Sequence, residues 1–191
     1  MGDFRDLYSY IQTLTPKIKR NVIRDKITAL TGQKLRVMMF ALDLNILRGF
    51  FLSVHDADNP FVKQNGCNII GLVKGQDSSW ERFVQVKEMM HVFDSEKERT
   101  GNSADFEALL GSLTRPQVDR TPQQRAEAKA FWMALAVLCP EETRRRLKAE
   151  LADEKTLTTE YSVALQLRIP EELVSALFSA DYELNLKAIL T

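Results

Sequence analysis

Apolar residues recur at helical spacing along the segment Trp80 to Asp94, which reads WERFVQVKEMMHVFD. This spacing predicts an amphipathic helix whose apolar side is formed by four residues, Phe83, Val84, Met90 and Phe93. Ser78 followed by Glu81 three residues later matches the capping-box pattern that starts many helices. The rest of the chain is organised around this central helix.

Two helical patterns precede the central helix, and three strand-like segments lie between. Phe4 to Leu14 is weakly amphipathic, and a second helix is predicted from Thr15-Pro16 to a stop at Gly32. The strand-like segments are short and rich in β-branched or large apolar residues: Leu35 to Ala41, Phe50 to His55 and Cys67 to Val73. Asn65-Gly66 predicts a tight turn before the last strand.

After Gly75 the pattern is helical to the end of the chain, with the central helix expected to run to about Lys97. The elements predicted beyond it are a polar turn at Arg99 to Ser103, a short helix at Asp105 to Leu113, a loop at Thr114 to Arg120, a long helix from Thr121-Pro122 with a Gln124 cap to Leu138, a helix from Pro140 to Ala152, and tail helices at Thr159 to Leu167 and Pro170 to Phe178.

The order of helices, a small sheet of two or three strands and more helices predicts an α+β fold. We predict one main domain over residues 1–152, built from N-terminal helices (1–32), the small sheet (35–73) and two motif helices (78–138). Residues 153–191 form a helical tail.

Composition and charge exclude some classes of function. The 191 residues have an apolar fraction of 45% and a formal net charge of zero, so bulk charge favours neither nucleic-acid nor membrane binding. The sequence has no signal-peptide pattern and no apolar run long enough for a membrane span, which predicts a cytoplasmic protein. The two cysteines, Cys67 and Cys139, are predicted to be free and buried.

The polar side of the central helix holds the candidate chemistry. Lys87 and His91 are four residues apart and lie one turn above each other, with Glu88 beside them. Zinc peptidases of the HExxH type place two histidines and a glutamate in this arrangement. Taken alone, a Lys-Glu-x-x-His pattern is more often a solvated stripe on a helix.

A second motif and the order of elements make the pattern more specific. The long second helix contains Glu127-Ala128-Lys129-Ala130 and runs through small and apolar residues to Pro140. Together with Arg82-Phe83 before the first motif, this resembles the ImmA/IrrE family of zincin-like proteins over roughly residues 35–179. The tail from Ser162 to Ser179 resembles that family's C-terminal helix-turn-helix-like element.

The resemblance implies a role for each matching residue. Glu88 stands where the family has its general base, His91 where it has the second zinc ligand, and Glu127 where it has the glutamate ligand. Lys87 departs from the pattern, because it stands where the family has its first histidine. A zincin needs three protein ligands and a metal-bound water.

Lys87 is a poor zinc ligand at neutral pH. Its reference pKa is about 10.4, so deprotonation costs about 4–5 kcal/mol at pH 7. Nearby carboxylates raise that cost by favouring the ammonium form. The sequence therefore predicts that the Lys87 ammonium replaces the metal ion and pairs with Glu127, with Glu88 as a candidate second partner, and that no cofactor is bound. Alternatively, zinc is held by a rebuilt set of His91, Glu127 and either Asp94 or His55.

Two functions follow from these alternatives. The first is a degenerate metallopeptidase-like regulator that binds a protein partner without cleaving it, and the resemblance suggests a helix-turn-helix repressor or similar regulator as that partner. The second is an active zinc metallopeptidase with Glu88 as general base. DNA binding is disfavoured, because the second tail helix has Glu171 and Glu172 but no Arg or Lys.

Overall fold

The computed structural model describes residues 2–14, 17–56, 59–95, 98, 122–153 and 155–191. Its α-helices are α1 (Phe4–Gln12), α2 (Arg20–Thr31), α3 (Pro60–Asn65), α4 (Ser78–Met90), α5 (Pro122–Leu138), α6 (Glu141–Ala152), α7 (Glu160–Leu167), α8 (Val174–Phe178) and α9 (Ala180–Leu190). The strands are β1 (Leu35–Phe40), β2 (Gly49–Leu52) and β3 (Asn68–Val73), and 3-10 turns occupy His91–Phe93 and Glu171–Leu173.

The three strands form one mixed sheet in the order β1-β3-β2. β3 is the central strand and is buried along its whole length. It pairs in parallel with β1, with Val37 opposite Ile70, and antiparallel with β2, with Phe51 opposite Ile70. The prediction of an α+β fold with a small sheet is confirmed.

The predicted turn at Asn65-Gly66 is wrong. Asn59 caps a short helix, α3, that begins at Pro60, and Gly66 ends it in the left-handed conformation at a φ of 59°. Glycine reaches this conformation without steric cost, so the same residue type suits a helix end and a hairpin turn. The Asn-Pro pair at 59–60 was the signal for the helix start.

The end of the first helix and the start of the second differ from the prediction. α1 ends at Gln12, and α2 begins at Arg20 rather than at Thr15-Pro16. The predicted stop at Gly32 is confirmed, since Gly32 adopts a φ of 73° and its N–H donates to Thr28 O.

The central helix, α4, starts one residue earlier than its pattern predicts, and it also ends earlier. Its N-cap is Asp77, whose carboxylate accepts from the N–H groups of Ser79 and Trp80, so Ser78 is the first helical residue instead of the cap. The α-helix stops at Met90, and a 3-10 turn continues it through His91–Phe93. This tighter turn brings Asp94 back toward His91.

The core lies between α4 and α5, and both helices are almost entirely buried along their facing lengths. Phe83 of α4 packs edge-on against Phe131 of α5, with ring centroids 5.7 Å apart. The long helix predicted to end at Leu138 is confirmed, as is the role of Pro140 in starting the next one.

The tail contains one more helix than predicted. The segment after Pro170 begins as a 3-10 turn before α8, and α9 follows it. α9 packs against α5 through Tyr182, which contacts Trp132 at a ring distance of 6.3 Å. Its pattern was missed because Leu184, at 66% exposed, points away from the core and blurs the helical period.

The predicted elements between Arg99 and Arg120, and the cap at Thr121, lie outside the described residues. In the described part, no helix is both long and apolar enough to cross a membrane. Both cysteines are free as predicted, but only Cys139 is buried, whereas Cys67 is half-buried.

Candidate functional site

A buried charged cluster lies where α4 and α5 pack together. We use this name for five residues: Lys87, Glu88, His91, Asp94 and Glu127. Lys87 and Glu88 lie on α4, and His91 begins the turn after it. Lys87 and His91 are four residues apart, so their side chains lie on the same face. Glu127 reaches the cluster from α5, and Asp94 closes it from the end of the 3-10 turn.

The Lys87 ammonium lies between two carboxylates. Its Nζ is 2.5 Å from Glu127 Oε2 and 2.9 Å from Glu88 Oε1. Lys87 is 4% exposed, and burial alone would lower the pKa of its amine. The charges and hydrogen bonds of Glu88 and Glu127 outweigh burial and raise that pKa above its usual value, so Lys87 is cationic at neutral pH. The predicted ion pair of Lys87 with Glu127 is present, and the candidate partner Glu88 forms a second one.

His91 supplies a second cation to the cluster. Its Nδ1 is 2.6 Å from Asp94 Oδ2, and its Nε2 is 3.3 Å from Glu127 Oε1. Burial lowers the pKa of the imidazole, but the Glu127 charge and the Asp94 hydrogen bond raise it to about 10. These carboxylates favour the protonated imidazolium form of His91.

The pKa values of the two glutamates are shifted in opposite directions. Burial would raise the pKa of Glu127, but Lys87 and His91 hold it well below its usual value. For Glu88, burial raises the pKa and the Lys87 and His91 charges only partly offset it. Asp94 gains a further cation from α5, since Lys129 Nζ lies 3.3 Å from its Oδ1.

These side chains do not fit a zinc ion. A zinc ligand needs a free lone pair, and an ammonium has none. The Lys87 ammonium also pairs with Glu88 and with Glu127, the carboxylate that would have to ligate the ion. Among the described residues, no group of three or more His, Cys, Asp or Glu side chains is placed to hold a metal ion.

His55, the other histidine, does not join the cluster. It is exposed in the turn after β2, where its backbone N–H donates to Ser53 Oγ. The ligand set that includes His55 is therefore not assembled in this structure. Asp94, the other candidate added ligand, contacts His91 directly.

Sequence reasoning missed two residues that enclose the cluster, Phe51 and Gly49. The Phe51 ring of β2 stacks on the His91 imidazole, with centroids 5.9 Å apart and an interplanar angle of 28°. Gly49 allows β2 to approach α4, because a Cβ at this position would collide with Val84 and lie 3.5 Å from Glu88 Cγ. Neither has a local sequence signal, since both depend on where β2 crosses α4.

Gly49→Ala is expected to lower the free energy of unfolding by about 1–3 kcal/mol, the usual cost of overpacking. The added methyl group would meet Val84 and the Gly71 carbonyl oxygen and push β2 away from α4. Urea unfolding measures the change. Asn45→Ala, in an exposed turn, is the control and should stay within about 0.5 kcal/mol of the parent. Equal stability of the parent and Gly49→Ala would contradict this close approach.

The pKa of His91 predicts a pH dependence of stability. It is about 10 in the folded state, against about 6.5 for an unfolded histidine. The folded state therefore binds more protons between these values, and stability falls as pH rises, by up to about 1.4 kcal/mol per unit. The cleanest window is about pH 6.5 to 8.5, below the reference pKa of cysteine. Urea unfolding across this window should show that the stability of the parent declines with pH. The stability of His91→Gln should show no such decline. A flat parent profile would contradict a charged His91.

Comparison with known proteins gives no match: no family model, no curated protein and no solved structure matches this chain. The resemblance to the ImmA/IrrE family therefore stays a prediction from the residues quoted above.

Proposed function

We propose that this protein is a degenerate, zincin-like regulator that binds a protein partner without cleaving it. One observation carries the proposal: the Lys87 ammonium lies within ion-pair distance of both Glu88 and Glu127. In the family that the sequence resembles, the corresponding glutamates serve a zinc ion and its bound water.

The chemistry of Glu88 supports a non-catalytic role. A general base must reach a water that a metal ion has acidified. Here Glu88 is 2% exposed and is paired with an ammonium group, which supplies protons instead of a coordination site. The cluster is suited to holding α4 and α5 together by charge.

The sheet offers a place for a peptide. β2 is an edge strand, and among the described residues its only strand partner is β3. An extended segment can add to such an edge through backbone hydrogen bonds. Because Phe51 of β2 stacks on His91, a peptide at this edge would lie beside the charged cluster.

The partner class rests on the resemblance. A helix-turn-helix repressor, or a similar regulator, is the partner that the family suggests. The tail supports protein contact over DNA contact, because α8 has five residues and the 3-10 turn before it begins with Glu171 and Glu172. A DNA-reading helix normally presents Arg, Lys, Asn or Gln to the bases.

The test mixes the purified protein with a helix-turn-helix repressor encoded beside its gene. Calorimetry measures association, and mass spectrometry of the repressor measures cleavage. The proposal predicts a stable complex with an intact repressor, both for the parent and for Glu88→Gln. Cleavage by the parent that Glu88→Gln abolishes would establish the peptidase instead, and failure to associate would remove this partner class.

A further inference from the structure

A basic cavity lies on another part of the molecule, between α2, α4 and the sheet. Its volume is about 550 Å³, and its wall includes five cationic side chains: Lys19, Arg20, Arg24, Arg82 and Arg168. They come from α2 and the residue before it, from α4, and from the end of α7. None of them belongs to the buried charged cluster.

The start of α2 forms one end of this cavity. Its N-cap is Lys19, which makes no side-chain cap hydrogen bond, and its first turn contains no acidic residue. The N–H groups at the start of a helix have no intrahelical acceptor, and the helix dipole places partial positive charge there. Arg20 and Asn21, the first two helical residues, both line the cavity. This helix end therefore lacks its usual anion or cap.

Arg82 is the second, independent feature. It is 8% exposed, and its Nε has no hydrogen-bond partner among the described residues. One other nitrogen, Nη2, donates to Ile18 O at 2.6 Å. Burial, together with the positive charges of Arg20 and Arg168, lowers the pKa of Arg82 to about 10. A buried guanidinium beside two like charges costs free energy unless an anion joins them.

The carboxylate that lines the cavity does not neutralise it. Glu81 pairs with Arg20, at 2.8 Å. Within the described residues, Arg82 has no carboxylate partner at ion-pair distance. The cavity therefore has positive charge in excess.

Part of the cavity lining is apolar. Val37 and Met39 of β1 and Leu72 of β3 form this part, and Met39 is 44% exposed. A small ligand with an anionic end and an apolar body would match both the cationic and the apolar part of the lining. Arginine side chains and helix N-termini are groups that proteins commonly use to bind phosphate.

From these features we infer that the cavity binds a phosphate monoester, with the phosphate between Arg82, Arg168 and the start of α2 and the organic part against Val37 and Met39. The site shares no residue with the charged cluster, so the inference of phosphate binding does not depend on the proposed function. Because its cationic side chains come from α2, α4 and the end of α7, an occupant would tie these three helices together.

Isothermal calorimetry with inorganic phosphate and with phenyl phosphate tests the site, and phenol serves as the probe without a phosphate. We expect saturable binding of both phosphates, tighter for phenyl phosphate, and none for phenol. Amide NMR with phenyl phosphate should show shifts at Arg20, Asn21 and Arg82.

Two variants and a control locate the binding. Arg82→Gln removes the buried cation but also its bond to Ile18 O. Arg168→Asn is the safer variant, because Arg168 is exposed at a φ of 56° and asparagine tolerates this conformation. It should weaken binding about tenfold, a change of 1.4 kcal/mol. The control is Arg146→Gln on α6, where the arginine pairs with Glu150, and it should leave binding unchanged.

Three results would overturn the inference. The first is no saturable binding of either phosphate. The second is equal weakening by Arg146→Gln and Arg168→Asn, which would mean a nonspecific charge effect. The third is phenyl phosphate binding no more tightly than inorganic phosphate, which would remove the organic part from the site.

Discussion

Lys87→Met is expected to lower the free energy of unfolding by about 3–5 kcal/mol, because removing one partner of a buried ion pair leaves uncompensated charge. Methionine preserves most of the length of the side chain, so the change mainly deletes the ammonium. Glu127 and Glu88, at 14% and 3% side-chain exposure, would lose the cation between them. Urea unfolding at neutral pH measures the loss.

A surface lysine gives the matched control. Lys148 on α6 is 50% exposed and lies 3.5 Å from Glu183, so Lys148→Met should cost about 1 kcal/mol or less. Adding Glu127→Gln to Lys87→Met should recover part of the lost stability, since it removes one of the stranded carboxylates. If the double variant instead loses the sum of the two single effects, the charges of Lys87 and Glu127 are not coupled.

Lys87→His is expected to create a zinc site. The change completes the His-Glu-x-x-His ligand pattern on α4, with Glu127 facing it from α5. His91 is already oriented for such a site, because Asp94 holds its Nδ1 and leaves Nε2 toward Glu127. A carboxylate on the far nitrogen is the usual support of a zinc-bound histidine.

Zinc should therefore stabilise this variant and not the parent. With chelator, Lys87→His should be less stable than the parent, because the permanent cation is gone. Zinc at about a thousand times its dissociation constant should restore about 4 kcal/mol. Thermal unfolding with and without zinc measures the effect. Lys87→His combined with His91→Gln is the control that should lose it, and an unresponsive Lys87→His would show that α4 and α5 do not form a metallopeptidase-like frame.

The sequence predicted the order of elements better than their ends. Helical and strand periods identified α4, α5 and the three strands, because burial against one core imposes those periods. Gly66 was misassigned because a left-handed glycine ends a helix and makes a turn equally well. α9 was missed because its exposed Leu184 hides the buried face formed by Tyr182 and Leu186.

In the candidate site, too, the sequence predicted some residues and not others. Lys87, Glu88 and His91 could be grouped from spacing on one helix, and Glu127 through the second motif. Phe51, Gly49 and Lys129 could not be predicted to join them. Their contacts depend on how β2 crosses α4 and on the rotation of α5 about its axis. Local sequence patterns determine neither of these. The cavity around Arg82 is likewise built from segments far apart in the chain.

The most direct test of the central claim is the metal content of the parent protein, purified without chelator and measured by plasma mass spectrometry. A protonated Lys87 in place of the metal ion predicts zinc far below one ion per chain, with no gain on dialysis against zinc. One tightly held zinc ion per chain, lost in His91→Gln, would contradict the account.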